Sequence, residues 1–281
     1  MSIAMKQKQK ASRVIYLILG IAVTCLFLFP LYWMVSTSLR APGSTFINPS
    51  FFPESIQFTA YVLETENGVS IWSYFMNSVV VSLGTTILTT ILAIPAAYAI
   101  GRFRNKTVST IIFIFLVAQM MPSSLILTPL FVTFSNLGLI NNHLGVMLAD
   151  ATITIPFSVI ILRTYFKDIP KELEEAALID GAGPYATFLR IMVPVTYPGI
   201  ITAISMSLIM SWGDMVFSLT LLTKDSLRTL PLILYKAMGE LGVRWEVLMA
   251  YATIVILPII IMFVFLQRFL ISGLTAGSVK G

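Results

Sequence analysis

Five long runs of this chain contain no Lys, Arg, Asp or Glu: Val14–Leu39, Asn67–Gly101, Thr107–Ala149, Ile191–Gly213 and Val247–Gln267. About 20 apolar residues cross a hydrocarbon core ~30 Å thick. The third run is long enough for one span, a turn and the start of a further span that finishes near Leu162, so six spans are predicted. Composition agrees, with 57% hydrophobic and 11% charged residues, where a soluble domain carries about 25% charged. The predicted fold is an all-α polytopic membrane protein.

Lys6, Lys8, Lys10 and Arg13 precede the first run and imitate the start of a signal peptide. The run exceeds the usual core of about 7–15 residues and lacks a small-residue cleavage site, so a retained helix is expected. Cys25 is the single cysteine and lies mid-span, which excludes a disulfide framework and a cysteine metal site. The formal charge of +5 does not signal a nucleic-acid partner. Its cations sit mostly between apolar spans, where lysine and arginine set orientation relative to the bilayer.

With the N-terminus inside, thirteen of the eighteen Lys and Arg residues collect on the cytoplasmic side. They are the N-terminal four, Arg102, Arg104, Lys106, Arg163, Lys167, Lys171, Arg190, Arg268 and Lys280. Arg40, Lys224, Arg228, Lys236 and Arg244 remain outside. This bias predicts both termini inside and places Arg163–Arg190 in the cytoplasm. Outside, Arg40–Ser70 is punctuated by Pro42, Gly43, Asn48, Pro49 and Pro53 and reads as a loop. Lys224–Glu246 is either an ordinary connector or a segment lying on the outer surface or over a cavity. The expected divisions are 1–13, a cytoplasmic N-terminus; 14–70, the first helix and an extracytoplasmic loop; 71–270, a five-helix core that includes 163–194; and 271–281, a cytoplasmic tail.

The cytoplasmic segment carries the most specific pattern. Pro170 suits a first helical turn, and Lys171–Leu178 are mostly good helix formers. Leu173, Ala176 and Ala177 share a small apolar face, flanked by Glu172 and Glu175 near the positive end of the helix dipole. Gly181 can take the left-handed conformation that ends such a helix. Gly183-Pro184 starts a second helix, in which Tyr185, Phe188, Leu189 and Met192 form an apolar stripe expected to pack on the membrane domain. From these residues alone, a docking helix and a solvated interfacial loop are equally good readings.

Glu175-Ala176-Ala177, Gly181 and Ile191-Met192-Val193-Pro194, extended by Asp180 and Pro198, resemble the EAA loop of binding-protein-dependent ABC importer permeases. Val193 stands where that loop usually has leucine. The ending, Gln267-Arg268-Phe269 followed by Gly273–Gly281, is similar to that of maltose-transporter-type permeases. The resemblance implies a membrane subunit of an importer for a carbohydrate, a di- or oligosaccharide, in a bacterial inner membrane. A sugar phosphate or another polar solute is the alternative cargo. Implied partners are a second, different permease subunit, two cytoplasmic ATPase subunits holding ATP and Mg, and an extracytoplasmic solute-binding protein. Glu172, Glu174, Glu175, Ala176, Ala177, Asp180 and Gly181 would form the coupling helix, and Gly273, Leu274, Thr275, Ala276, Gly277 and Ser278 a tail touching the ATPases.

No G-x-x-x-x-G-K-S/T phosphate loop is present, so no cofactor is expected on this chain. An intramembrane enzyme is the contrasting reading. His143 is the single histidine, which excludes an H-E-x-x-H zinc pair, and it reads as a residue of an outer turn. Asn77, Gln119, Asp150, Trp212 and Asp214 are candidates for the substrate path, because amides, carboxylates and an aromatic face suit sugar hydroxyls and rings. Asn77 and Gln119 are equally suited to bonds between helices. Pro95, Pro122, Pro129 and Pro156 mark breaks or kinks in the second, third and fourth spans.

Overall fold

A computed structural model describes residues 3–41, 43, 50–62, 68–103, 105–239 and 242–276. Helices account for almost all of it: α1 (Ile3–Ser38), α2 (Ile71–Arg102), α3 (Lys106–Met120), α4 (Ser123–Asn136), α5 (His143–Asp168) and α6 (Glu172–Ile179). They are followed by α7 (Pro184–Val195), α8 (Tyr197–Trp212), α9 (Val216–Leu221), α10 (Leu232–Ala237) and α11 (Trp245–Ala276). A two-residue antiparallel pair, β1 (Met238–Gly239) with β2 (Gly242–Val243), is in register Met238 to Val243 and Gly239 to Gly242.

Among the described residues, four helices are long and apolar enough to cross a membrane, over Arg13–Ser38, Ile71–Arg102, His143–Asp168 and Trp245–Gln267. Two bent pairs, α3 with α4 and α7 with α8, bring the number to six. The third span is therefore not one straight helix. It breaks at Met121-Pro122 with a bend of 99°. Proline lacks the N–H and disfavours helical geometry in the residue before it. Pro95, Pro129 and Pro156 stay inside continuous helices.

The chain packs as two units. In the first, drawn from Met1–Val62 and Leu234–Ile256, residues 50–62 fold back on the end of α1. Tyr32 donates to the Phe51 carbonyl at 2.6 Å, Ser38 and Tyr61 share a 2.7 Å hydroxyl bond, and the Arg40 guanidinium donates to the Ser50 carbonyl and lies 5.2 Å over the Trp33 ring.

The second unit, drawn from Leu63–Ile233 and Leu257–Gly281, is built on α2, α5 and α8. Ala93, Ala97, Ile100, Val159, Leu162, Phe166, Met192, Ile200 and Ala203 form its core toward one end. Small residues let the backbones approach where lipid supplies no hydrophobic drive between helices. Gly199 is the tightest such point in α8, where an added Cβ would lie 2.5 Å from the Tyr165 ring. Toward the other end, Val81, Phe134, Val146, Ala149, Phe217, Leu221 and Leu222 join α4 and α9 to α2 and α5.

Candidate functional site

Helix α6 presents two unlike faces. Its 3.6-residue period puts Glu174 and Ala177 on one side and Glu172, Glu175, Ala176 and Ile179 on the other. The structure agrees, with Ala177 4% exposed and Ile179 86% exposed. Glu172, Glu175 and Ala176 are also exposed, so the first alanine of the motif faces out and the second faces in. Leu173, Leu178 and Tyr185 add exposed apolar area around this face. Gly181 ends the helix at φ +84°, with Ala182 N–H donating to the Ala177 carbonyl at 2.9 Å and Gly181 N–H to Leu178 at 3.1 Å. That pairing is the Schellman arrangement, and it satisfies carbonyls that the helix end would otherwise leave open. Asp180 is the exposed C-cap residue.

Two local expectations change. Pro170 precedes the helix, whose N-cap is Lys171. The stripe in α7 is split: Met192 is fully buried and Phe188 packs on the core, while Tyr185 and Leu189 are exposed. A π-helical turn over Phe188–Met192 shifts the phase of the helix and breaks the 3.6-residue register on which the stripe was read.

Glu174 is turned inward. Its Oε1 accepts a 2.8 Å hydrogen bond from the Tyr98 hydroxyl and lies 2.9 Å from Arg102 Nε. The latter contact is an ion pair without an aligned N–H bond. Arg102 also donates from Nη1 to the Ile169 carbonyl at 2.8 Å, and its Nη2 reaches the Met192 sulfur at 3.7 Å. One guanidinium at the end of α2 thus ties together α6, the end of α5 and the π-helical turn. Tyr98 lies between Phe166, met edge-on with centroids 5.5 Å apart, and Phe188, tilted with centroids 4.9 Å apart. Tyr98 and Arg102 are four residues apart on one face of α2, so both reach the same carboxylate.

The path candidates separate into two groups. Asn77 donates to the Ser226 and Arg228 carbonyls at 2.9 and 3.0 Å and pins the segment after α9 to α2. Gln119 donates to the Ile153 carbonyl at 2.7 Å, beside the stretch of α5 that Pro156 disturbs. Trp212 is buried edge-on against Phe75, with centroids 5.7 Å apart. These three serve packing between segments. His143 begins α5, with Nε2 2.9 Å from the Leu227 carbonyl.

Asp150 and Asp214 instead share a cavity of about 260 Å³ whose wall includes Ser123, Thr154, Ser211 and Phe217. Asp150 is only 4% exposed. Its Oδ2 accepts from Ser211 at 2.5 Å and faces Thr85 at 3.5 Å. Asp214 accepts from the backbone N–H groups of Val216, Phe217 and Ser218 at 3.2, 3.3 and 2.9 Å and so caps α9. Below Asp150, Thr89 and Thr154 share a 2.6 Å bond. The break between α3 and α4 puts Ser123 on the cavity wall. Irregular backbone at membrane depth is tolerated where it lines such a space.

Residues 89–275 match the family described as the binding-protein-dependent transport system inner membrane component. The chain belongs to this family. It is an ABC transporter permease, 34% identical over 90% of its length to the probable ABC transporter permease protein YurM of Bacillus subtilis, of which it covers 84%. It is 32% identical to the diacetylchitobiose uptake system permease protein DasC of Streptomyces coelicolor, over 90% of this chain and 92% of that one. Its fold matches a chain from the crystal structure of a bacterial ABC transporter involved in the import of the acidic polysaccharide alginate, at a TM-score of 0.75, covering 95% and 98% of the two chains at 23% identity.

In this permease, the backbone of Gly273, Leu274, Thr275 and Ala276 continues α11, while Gly277 and Ser278 lie outside the described residues. Sequence reasoning missed Arg102, Tyr98, Thr85, Ser211 and Ser123. The available signal was weak, because serine and threonine inside an apolar run do not announce which helix they meet.

Proposed function

We propose that this permease carries a neutral di- or oligosaccharide across the membrane as one of two different permease subunits. In this reading a solute-binding protein delivers the sugar outside, and two ATPase subunits bind Mg–ATP on the cytoplasmic side. Glu172, Glu175, Ala176 and Ile179 dock on one ATPase, with Ala177, Asp180 and Gly181 holding the shape of the helix. Gly273–Ser278 is the second contact.

One observation carries the reading. Helix α2 grips the coupling helix through Tyr98 and Arg102 and contributes Thr85 beside Asp150. Those sites are 17 residues apart, or about 25 Å along a helix. A rigid α2 would transmit displacement of α6 to the cavity. ATP binding can bias transport only if the two membrane conformations present different contacts to the ATPases. Hydroxyl and carboxylate groups on the cavity wall suit sugar hydroxyls, and its lining contains no Lys or Arg to hold a phosphate. The similarity to DasC and the form of the C-terminal residues support a carbohydrate cargo.

The test is Glu175→Lys in the assembled importer. ATP-driven uptake should be lost while membrane insertion and expression remain normal. Normal uptake at normal expression would refute the coupling role. Stimulation of ATP hydrolysis by binding protein loaded with different saccharides, compared with sugar phosphates, tests the cargo class.

A further inference from the structure

A second polar cavity lies away from the transport path. It is a groove of about 840 Å³ between the start of α3 and the end of α5, and Lys106, Arg163 and Lys167 line it together with Phe103 and Ser109. Among the described residues its lining contains no Asp or Glu. Arg163 is half-buried, and its Nε is shielded from solvent with no hydrogen-bond partner. Arg163 and Lys167 stand four residues apart on α5, a spacing at which like charges repel. The N-terminus of α3 adds its positive dipole end, and Asn105 caps Val108 N–H at 2.8 Å. The Ser109 and Thr110 hydroxyls already donate to the Asn105 and Lys106 carbonyls, so among the described lining residues the cationic donors open to a ligand are Lys106, Arg163 and Lys167.

Gathering three cations around a cavity with no carboxylate among its described lining residues is costly unless an anion occupies it. The neighbouring surface states which anion fits. Val108 and Ile112 form the apolar wall, and α3 continues from it with Phe113, Ile114, Leu116 and Val117 exposed. A basic pocket at one end of an apolar strip matches a phosphodiester head group with acyl chains running along the helix. The excess of basic residues at these helix ends places the groove at the inner leaflet.

We propose that the groove of Lys106, Arg163 and Lys167 is a binding site for an anionic phospholipid, independent of the cargo the permease carries. The test uses the complete importer in nanodiscs of phosphatidylcholine containing a minority of phosphatidylglycerol, with co-purifying lipid counted by native mass spectrometry. The intact importer should retain phosphatidylglycerol preferentially. Arg163→Gln with Lys167→Gln should lower that retention about 25-fold, since each basic residue near an anionic surface is worth about fivefold. Arg163→Lys should keep most of it, and Lys224→Gln should leave it unchanged. Lys106→Gln, at an exposed position, should cost about fivefold and provides a reading if the double variant fails to assemble. Equal retention of the two lipids, or unchanged retention in the variants, overturns the proposal. Displacement by inorganic phosphate would assign the groove to a free anion instead. Protection of Lys106 and Lys167 from amine labelling that depends on the ATPase subunits and not on anionic lipid would assign it to a protein contact.

Discussion

Glu174→Gln removes one charge from the joint between α6 and α2 while keeping the length of the side chain. The glutamine oxygen still accepts from the Tyr98 hydroxyl, and Arg102 keeps the Ile169 carbonyl at 2.8 Å. What is lost is the ion pair, whose side chains are 9% and 20% exposed. Exposed pairs contribute about 0.2–1 kcal/mol, whereas breaking a fully buried pair costs about 3–5 kcal/mol. This one lies between, at about 2 kcal/mol, or about 30-fold in the equilibrium between a docked and an undocked coupling helix. The assay is sugar uptake per ATP hydrolysed by the importer reconstituted in vesicles. Uptake should fall well below hydrolysis, because an undocked helix lets the ATPases cycle without moving α2. A cycle of Glu174→Gln, Arg102→Gln and the double variant should give a coupling energy of about 1–2 kcal/mol. Strict additivity of the two changes, with the ratio of uptake to hydrolysis unaltered, would refute the joint as a transmission element.

Asp150→Asn keeps the shape of the cavity and replaces one carboxyl oxygen with an amide nitrogen. If Asp150 bonds a sugar hydroxyl, uptake efficiency should fall about 2–10-fold, the range for one hydrogen bond, while thermal stability of the assembled complex changes little. An equal loss of stability and uptake would make the residue structural. Gly199→Ala places a methyl group 2.5 Å from the Tyr165 ring. It should destabilise the α5–α8 contact by about 1–3 kcal/mol, read as a lower unfolding temperature in detergent, and unchanged stability would show that the ring moves aside freely.

Periodicity in α6 placed Leu173, Ala176 and Ala177 on one apolar face, but only Ala177 is buried while Leu173 and Ala176 are exposed, because packing on α2 takes the side that carries Glu174 and Ala177. The C-terminus of the helix was legible, because Gly181 at positive φ is a local requirement of the backbone. The neighbouring stripe was not, since a single π-helical turn at Phe188–Met192 displaces everything beyond it, and that turn is held by tertiary contacts around Met192 and Arg102.

Apolar run length and charge-free stretches determined the helical class and the approximate positions of the spans, because those depend on bilayer thickness and on short-range backbone geometry. Among five candidates in apolar surroundings, sequence left each open as a path residue and offered a bond between helices as the alternative for Asn77 and Gln119. Only the tertiary structure separated Asn77, Gln119 and Trp212, which secure neighbouring segments, from Asp150 and Asp214, which meet at a cavity. The physical reason is that a polar side chain at membrane depth seeks whatever partner its neighbours provide. Residues 60 or more positions away, such as Ser211 for Asp150 and Arg102 for Glu174, supply that partner only after the helices pack.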